Sequence, residues 1–153
     1  MLIRQATGST SEVVRSLVER CCNRGDLSVL STFVRQPLDG RIKRFLTEFQ
    51  VSVPDAQWTV HELVAGDNTV VVRLSVRGTF SGPLVGLAAP GREATMSGVV
   101  FGHFLDGMLA ELWLQADLLG FLQQLGVLPP LDLSRAVTVA RMATIITAWS
   151  AES

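Results

Sequence analysis

The 153-residue chain lacks a strong charge imbalance, and it has no basic run with interleaved aromatic residues. Its formal net charge is −1, its pI is near 6.1, and lysine and arginine occur singly or in small groups. Because nucleic acids and anionic membranes are held largely by clustered positive charge, neither is an expected partner. At this length we expect one domain with a substantial core.

The chain also lacks the patterns that hold metals and cofactors. It has no glycine-rich phosphate loop, no P-loop, no paired-histidine motif and no Cys-x-x-Cys motif. Its two cysteines, Cys21 and Cys22, are adjacent, so a bridge between them would be badly strained. We predict two reduced thiols on a helix, with at least one in the core, and no metal or cofactor.

Targeting and membrane-spanning signals are missing as well. The first residues lack the basic segment, the apolar run and the small-residue cleavage site of a secretory signal. No apolar stretch reaches the roughly 20 residues that a bilayer-spanning helix requires. These absences predict a cytoplasmic protein.

Helical periodicity fills the first third of the chain. Residues 9–11 are N-cap candidates, and apolar residues recur at helical spacing from Val13 to Cys21. The turn Asn23-Arg24-Gly25-Asp26 ends that helix. Two more helices are predicted at Leu27–Phe33 and Arg41–Phe49.

Strand patterns follow these helices. A turn at Gly66-Asp67-Asn68 and the strong hairpin signal Asp106-Gly107 separate strongly apolar or alternating segments. The predicted strands are Gln57–Ala65, Thr69–Val76, Glu93–Leu105 and Leu109–Gln115. Three helices before an antiparallel meander indicate an α+β domain.

The stretch Glu111–Pro130 passes from strand to helix, and Asp117 lies at the junction. One interpretation is an N-cap, because aspartate accepts the free N–H groups of a starting helix. The other is an acid in apolar surroundings, whose pKa would be raised by desolvation and suited to proton transfer. Local spacing leaves both open.

The pattern Trp113-x-x-x-Asp117-x-x-Gly120-x-x-x-Gln124-Leu125-Gly126 resembles the closing strand and tail of the SnoaL-like polyketide cyclases, in the nuclear-transport-factor-two-like superfamily. The segment from Asn23 to Phe33, NRGDLSVLSTF, is similar to the helix-turn-helix opening of that superfamily. The resemblance covers roughly residues 12–130. It implies a cone-shaped, barrel-like fold with helices packed on a curved antiparallel sheet, and it makes Asp117 the catalytic acid/base.

Two departures from the family pattern are visible. The segment between the second and third helices is short, which suggests a more open pocket mouth. Gly78-Thr79-Phe80-Ser81-Gly82 resembles a Gly-Thr-His-x-Gly turn of the family, with Phe80 in place of histidine.

His103 is the second candidate catalytic residue. Taken alone it is a core or exposed histidine, but some cyclases of the family pair a histidine at this position with the strand-end aspartate. If Phe101 and His103 on one strand and Trp113, Gln115 and Asp117 on the next all face the interior, the acid and the histidine share an apolar box. We expect the substrate-binding walls to be Phe101, Trp113, Gln115, Leu74 and Trp58.

The predicted function is therefore a cofactor-independent cyclase of bacterial natural-product biosynthesis. Asp117 would remove an acidic proton from a polyketide-like substrate, and His103 would orient the carboxyl group during an aldol-type closure. The alternatives are a ring-forming catalyst acting by shape (pericyclic or dehydrative), an epoxide hydrolase on the same fold, and a non-catalytic binding or assembly subunit.

The last residues form a predicted extension beyond the 1–130 cyclase domain. Ser134 can cap a helix running to about Trp149, and its apolar residues lie nearly all round. Residues 131–153 are thus expected to form an oligomer contact or a lid. A homodimer or homotetramer is the expected assembly.

Overall fold

The computed structural model describes residues 4–83 and 91–130, with side chains described from Thr10 onward. The predicted C-terminal helix and the 131–153 extension lie outside the described residues. The described helices are α1 (Arg4–Ser16, continued by a π-helical segment Leu17–Asn23), a 3₁₀ turn Leu27–Val29, α2 (Leu30–Phe33), α3 (Leu38–Ser52) and α4 (Leu118–Gln124). The strands are β1 (Gln57–Ala65), β2 (Thr69–Phe80), β3 (Arg92–Leu105) and β4 (Met108–Ala116).

The α+β prediction is confirmed. The four strands form one antiparallel sheet in the order β1-β2-β3-β4. The β3–β4 hairpin turns at Asp106 and Gly107, whose φ angles of 52° and 77° explain the preference for Asp-Gly there. No described helix is long and apolar enough to cross a membrane.

Several predicted boundaries were wrong. Helix α1 already begins at Arg4, so residues 9–11 lie inside it and are not its N-cap. The second helix is divided into a 3₁₀ turn and a single α-helical turn. Strand β2 continues to Phe80, because Gly78 to Phe80 pair with β3 instead of forming a turn.

The Asn23–Asp26 turn joins the helices to the sheet. The Asn23 amide donates to the Trp58 carbonyl (3.0 Å), and its oxygen accepts from the Trp58 N–H (2.8 Å), so one side chain imitates a strand partner for β1. Gly25 has a φ of 70°, and the Asp26 carboxylate caps the next turn by accepting from Ser28 N–H. The family-like motif is therefore accounted for by architecture.

The sheet has an inner face that packs on the helices and an outer face turned away from them. On β2 the inner face is Val70, Val72, Leu74 and Val76, all buried, and these alternate with the outer-face residues Val71, Arg73, Ser75 and Arg77. Helical residues such as Val13, Leu30 and Leu46 complete the core against the inner face. The hydrophobic alternation of β2 thus orients the whole sheet.

A second cluster lies at the other end of the inner face, around Phe80. Its ring lies 6.2 Å from Phe49 and 4.6 Å from Phe121 (centroid distances), and its side chain is fully buried. Phe49 also packs on Trp58, at 5.1 Å. The residue that departs from the family histidine therefore has a packing role between α3, β2 and α4.

Candidate functional site

A cavity of about 870 Å³ lies between the inner face of the sheet and the helices α1 and α3. Its walls are predominantly aliphatic and come from both layers of the fold. The interior includes Val14, Leu17, Val18, Leu30, Ile42, Leu46, Val70, Val72, Leu74 and Val100. Such a lining suits an apolar molecule, and the volume falls within the usual range for small-molecule sites.

The cavity contains only some of the predicted substrate-binding residues. Leu74, Trp58 and Trp113 line it, whereas Phe101, Gln115, His103 and Asp117 do not. Their roles in binding or catalysis stay predictions, but the expected single box containing both catalytic candidates is wrong.

Contrary to the prediction, Phe101 and His103 of β3 face away from the interior. Thr69 on β2 pairs with His103, and Val71 pairs with Phe101, so the odd-numbered residues of β3 share the outer face with Arg73 and Arg77. The inner face carries Val100 and Gly102 instead. A Cβ at Gly102 would lie 2.9 Å from the Leu109 side chain, so only glycine fits there without displacement.

His103 makes its contacts on the outer face. Its Nδ1 lies 3.0 Å from the hydroxyl of Thr69, and its ring meets Trp113 edge-on at 5.2 Å. Glu111 is its pairing partner on β4. These contacts account for the histidine as an ordered, half-buried residue of the sheet surface.

Asp117 is the N-cap of α4, the simpler of the two interpretations. Its carboxylate accepts the Gly120 N–H at 2.9 Å and is exposed, so the desolvated setting expected for it is absent. A Cβ at Gly120 would overlap that carboxylate. Gln124, the next residue of the motif, bonds both the N–H and the C=O of Thr95 at 2.9 Å, completing the pairing of β3 beyond the end of β4.

The two catalytic candidates are far apart. The Asp117 N–H donates to Ser97 O, while His103 is six residues further along the same strand. At about 3.3 Å per residue this separates their backbones by roughly 20 Å. His103 therefore does not orient the Asp117 carboxyl group.

The titratable groups that do line the cavity are different ones. Burial raises the pKa of the Cys21 thiol to about 11 and that of Cys22 to about 12, so both are neutral near pH 7. Both are free thiols, as predicted, and Cys21 is buried. Neutral thiols are weak hydrogen-bond donors and poor nucleophiles.

Charged residues of α3 also line the cavity, and sequence reasoning missed them. Arg41, Arg44 and Glu48 flank Phe45, whose side chain is 45% exposed. The signal was their spacing beside an apolar face, because residues three and four apart share one stripe of a helix. Within the described ranges, no three histidine, cysteine or carboxylate side chains are grouped to hold a metal ion.

Comparison with known proteins agrees with this architecture. The chain is similar to the structure of TsrD from Streptomyces laurentii, at 24% identity over 79% of this chain and 97% of that one, with a TM-score of 0.73. AclR from Streptomyces galilaeus, a candidate hydroxylase, is 20% identical over 95% of this chain and 97% of its own, with a TM-score of 0.71. A candidate SnoaL-like polyketide cyclase from Jannaschia sp. CCS1 is 17% identical over 82% of this chain and 96% of its own, with a TM-score of 0.74.

No curated protein matches the chain. The family model described as SnoaL-like polyketide cyclase matches residues 12–125, which is well over half of the chain. The chain belongs to the SnoaL-like polyketide cyclase family.

Proposed function

We propose that this protein closes a ring in an apolar, polyketide-like intermediate held in the cavity between the sheet and the helices. Its family supports a polyketide cyclase-type enzyme acting on a small molecule. The observation that carries the specific proposal is the cavity of about 870 Å³ with aliphatic walls. A flexible substrate with few polar groups would have to adopt a compact, folded conformation to fit this cavity.

Confinement is the main contribution that this geometry supports. Holding two reacting groups in contact corresponds to effective concentrations of about 10⁵–10⁸ M in well-oriented systems. Neither Asp117 nor His103 belongs to the described lining, whose carboxylates are the exposed Glu48 and Glu111 and whose two thiols are neutral near pH 7. The contacts therefore favour ring closure by shape over the aldol mechanism with Asp117 and His103.

Two matched substitutions on β3 test the cavity. Val100 points into it, and Val99 occupies the outer face one residue earlier. We expect Val100→Phe to fill part of the cavity and lower turnover by about 100-fold or more, since small misplacements of a substrate are costly. Val99→Phe adds the same bulk outside and should leave turnover within about twofold.

The readout is the mass of the intermediate that accumulates in a producing strain carrying each variant or lacking the protein. An accumulated intermediate isomeric with the product indicates cyclisation, and one differing by a water indicates dehydrative closure or epoxide opening. Equal effects of Val100→Phe and Val99→Phe would argue against the cavity as the reaction site. No accumulation in the deletion strain would exclude the enzyme and favour the binding subunit.

Asp117→Asn tests the proton-transfer alternative in the same assay. Asparagine is as good an N-cap as aspartate, so α4 should stay intact. General acid/base catalysis contributes roughly 10²–10⁴-fold, so a loss of that size with unchanged folding would restore Asp117 as the acid/base. Closure by shape predicts less than about a threefold change.

We also infer that copies of the chain associate through the outer face of the sheet. An apolar row crosses all four strands there, formed by Val64, Val71, Phe101 and Trp113, the last of which lies on the edge strand β4 and also borders the cavity. Two ion pairs lie on the same face, Arg73 with Glu62 at 3.5 Å beside the row and Arg77 with Glu93 at 2.6 Å further along β2. A two-fold related copy can therefore meet both the apolar row and opposite charges.

A further inference from the structure

The cavity has an exposed rim between α3 and the edge strand β4. Phe45 of α3 is 45% exposed, and Leu112 and Leu114 of β4 are 37% and 50% exposed, although all three line the cavity. Strand β4 is the last strand of the sheet; Leu109 at its start forms a bridge with Val34, but no further described strand pairs with the edge beside Leu112 and Leu114. A ligand can therefore enter along this rim.

Two arginines stand on the α3 side of that rim. Arg41 and Arg44 are three residues apart, which places their Cβ atoms about 5–6 Å from each other. Both are exposed, and both line the cavity. Two neighbouring guanidinium groups repel one another, and an anion between them would relieve that repulsion.

Neither arginine has a partner that neutralises its charge in the described structure (residues 4–83 and 91–130). Neither side chain forms an ion pair or a hydrogen bond there. Several arginines elsewhere on the protein surface are paired: Arg20 with Asp26, Arg24 with Glu19, Arg73 with Glu62 and Arg77 with Glu93. Arg15 and Arg92 are likewise exposed and unpaired in the described part of the chain, so what distinguishes Arg41 and Arg44 is that they are unpaired and also line the cavity.

The nearby carboxylates do not occupy the two guanidinium groups. Glu48 lies one turn beyond Arg44 and lines the cavity, but it forms no ion pair with either arginine in the described structure. Glu111 lines the cavity as part of β4, but its pairing with His103 directs its side chain to the outer face. The α3 side of the rim therefore keeps an excess of positive charge.

We propose that Arg41 and Arg44 bind a carboxylate of the substrate at the rim while its apolar body occupies the cavity. The substrate class is an anionic amphiphile, and the two arginines determine its specificity and its orientation. Guanidinium groups match a carboxylate with two parallel N–H···O bonds, which fixes the direction in which the ligand enters. This inference rests on the proposed function, because it takes the same cavity as the substrate site.

Two probes with one aromatic body separate charge from shape. Anthracene-2-carboxylate carries the anion, and its methyl ester lacks it. Both are fluorescent, so their dissociation constants can be measured by titration with the full chain. Because exposed ion pairs contribute modestly to binding, we expect Arg41→Gln combined with Arg44→Gln to raise the dissociation constant of the carboxylate about five- to twentyfold. The dissociation constant of the ester should change less than twofold.

The control is Lys43→Gln on the same helix. Lys43 is exposed like the two arginines but does not line the cavity, so neither probe should lose more than about twofold. Raising the salt concentration should weaken binding of the carboxylate and leave binding of the ester nearly unchanged. Arg41→Lys with Arg44→Lys keeps the charge and should recover part of the affinity.

The outcomes separate this inference from the proposed function. If the arginine variant loses affinity for both probes equally, or keeps its affinity for the carboxylate, the anion site is wrong. The cavity would remain the proposed substrate site in either case. Binding of the ester that survives Val100→Phe would instead contradict the cavity as the site, and with it both proposals. Both proposals would be supported if Val100→Phe abolishes binding of the ester and the arginine variant selectively weakens binding of the carboxylate.

Discussion

The inner and outer faces of the one sheet are chemically different, although they alternate residue by residue along the same strands. On β3 the inner residues Val100 and Gly102 border an aliphatic cavity, while Phe101 and His103 between them face away from it. The outer face combines ion pairs with the apolar row. A shift of one residue in the assignment of faces therefore exchanges the whole candidate site for a surface.

The comparison also separates residues with a structural role from residues that border the candidate site. The motif that most resembled the family is used structurally: Asp117 caps α4, Gly120 leaves room for the carboxylate, and Gln124 extends the pairing of β3. Of the residues that define this motif, only Trp113 lines the cavity, whose described walls come mainly from hydrophobic residues of the helices and the sheet. Shape and apolarity at the inner face come from ordinary hydrophobic alternation.

The largest difference between the faces should appear in stability. Phe104 is 1% exposed on the inner face, and Phe101 is 44% exposed on the outer face three residues away. Phe104→Ala removes a fully packed ring and should lower the free energy of unfolding by about 3–5 kcal/mol. Phe101→Ala should lower it by less than about 1 kcal/mol.

Urea denaturation of both variants measures this difference, and protein concentrations low enough to avoid self-association keep it free of interface effects. Similar losses for the two alanine variants would mean that the outer row is as densely packed as the core, and the assignment of faces would then be wrong.

The next effect concerns association. Phe101→Glu places a charge in the centre of the apolar row, and in a dimer two such charges would face the partner's sheet. We expect an assembly in solution to dissociate, with the dimer dissociation constant rising at least tenfold. Sedimentation velocity or light scattering at several concentrations measures it.

Phe45→Glu is the matched control for association, since Phe45 is equally exposed but lies at the cavity rim on α3. It should leave the assembly unchanged. If Phe45→Glu dissociates the assembly and Phe101→Glu does not, the interface lies at the cavity rim and not on the outer face.

Much of the fold could be predicted from the sequence because local signals were consistent. Strand β1 was predicted with its observed bounds, the Asp106-Gly107 hairpin was confirmed, and β3 and β4 were off by one residue at their ends. These features depend on β propensity and turn chemistry within a few residues.

The site could be predicted only in part, because it depends on which face is covered. The β2 alternation, with valine and leucine opposite arginine, already indicated the inner face, but His103 was placed by family resemblance and not by its pairing with Thr69. Arg41 and Arg44 were missed because α3 was considered only through its apolar residues. Non-local pairing decides the position of His103, and short-range patterns do not contain it, whereas the helical spacing of Arg41 and Arg44 was present in the sequence.

The smallest predicted effect is a pH dependence at the polar end of β2. Asp55 accepts the Thr79 N–H at 2.7 Å and the Thr79 hydroxyl at 2.8 Å, and these bonds hold the pKa of that carboxyl below its usual value. A carboxyl group with a depressed pKa stabilises the fold fully above its unfolded pKa of about 3.9, and this contribution is lost as the pH falls through the folded value.

We therefore expect Asp55→Asn to lower the Tm at pH 7, and the difference from the unsubstituted protein to shrink below about pH 4. Thermal unfolding followed by circular dichroism between pH 3 and pH 7 measures it. Asp67→Asn is the control, because Asp67 is exposed in the β1–β2 turn and its carboxylate accepts no hydrogen bond from a described residue. A Tm difference for Asp55→Asn that stays constant down to pH 3 would mean that the Asp55–Thr79 contact stabilises the fold independently of the carboxylate charge.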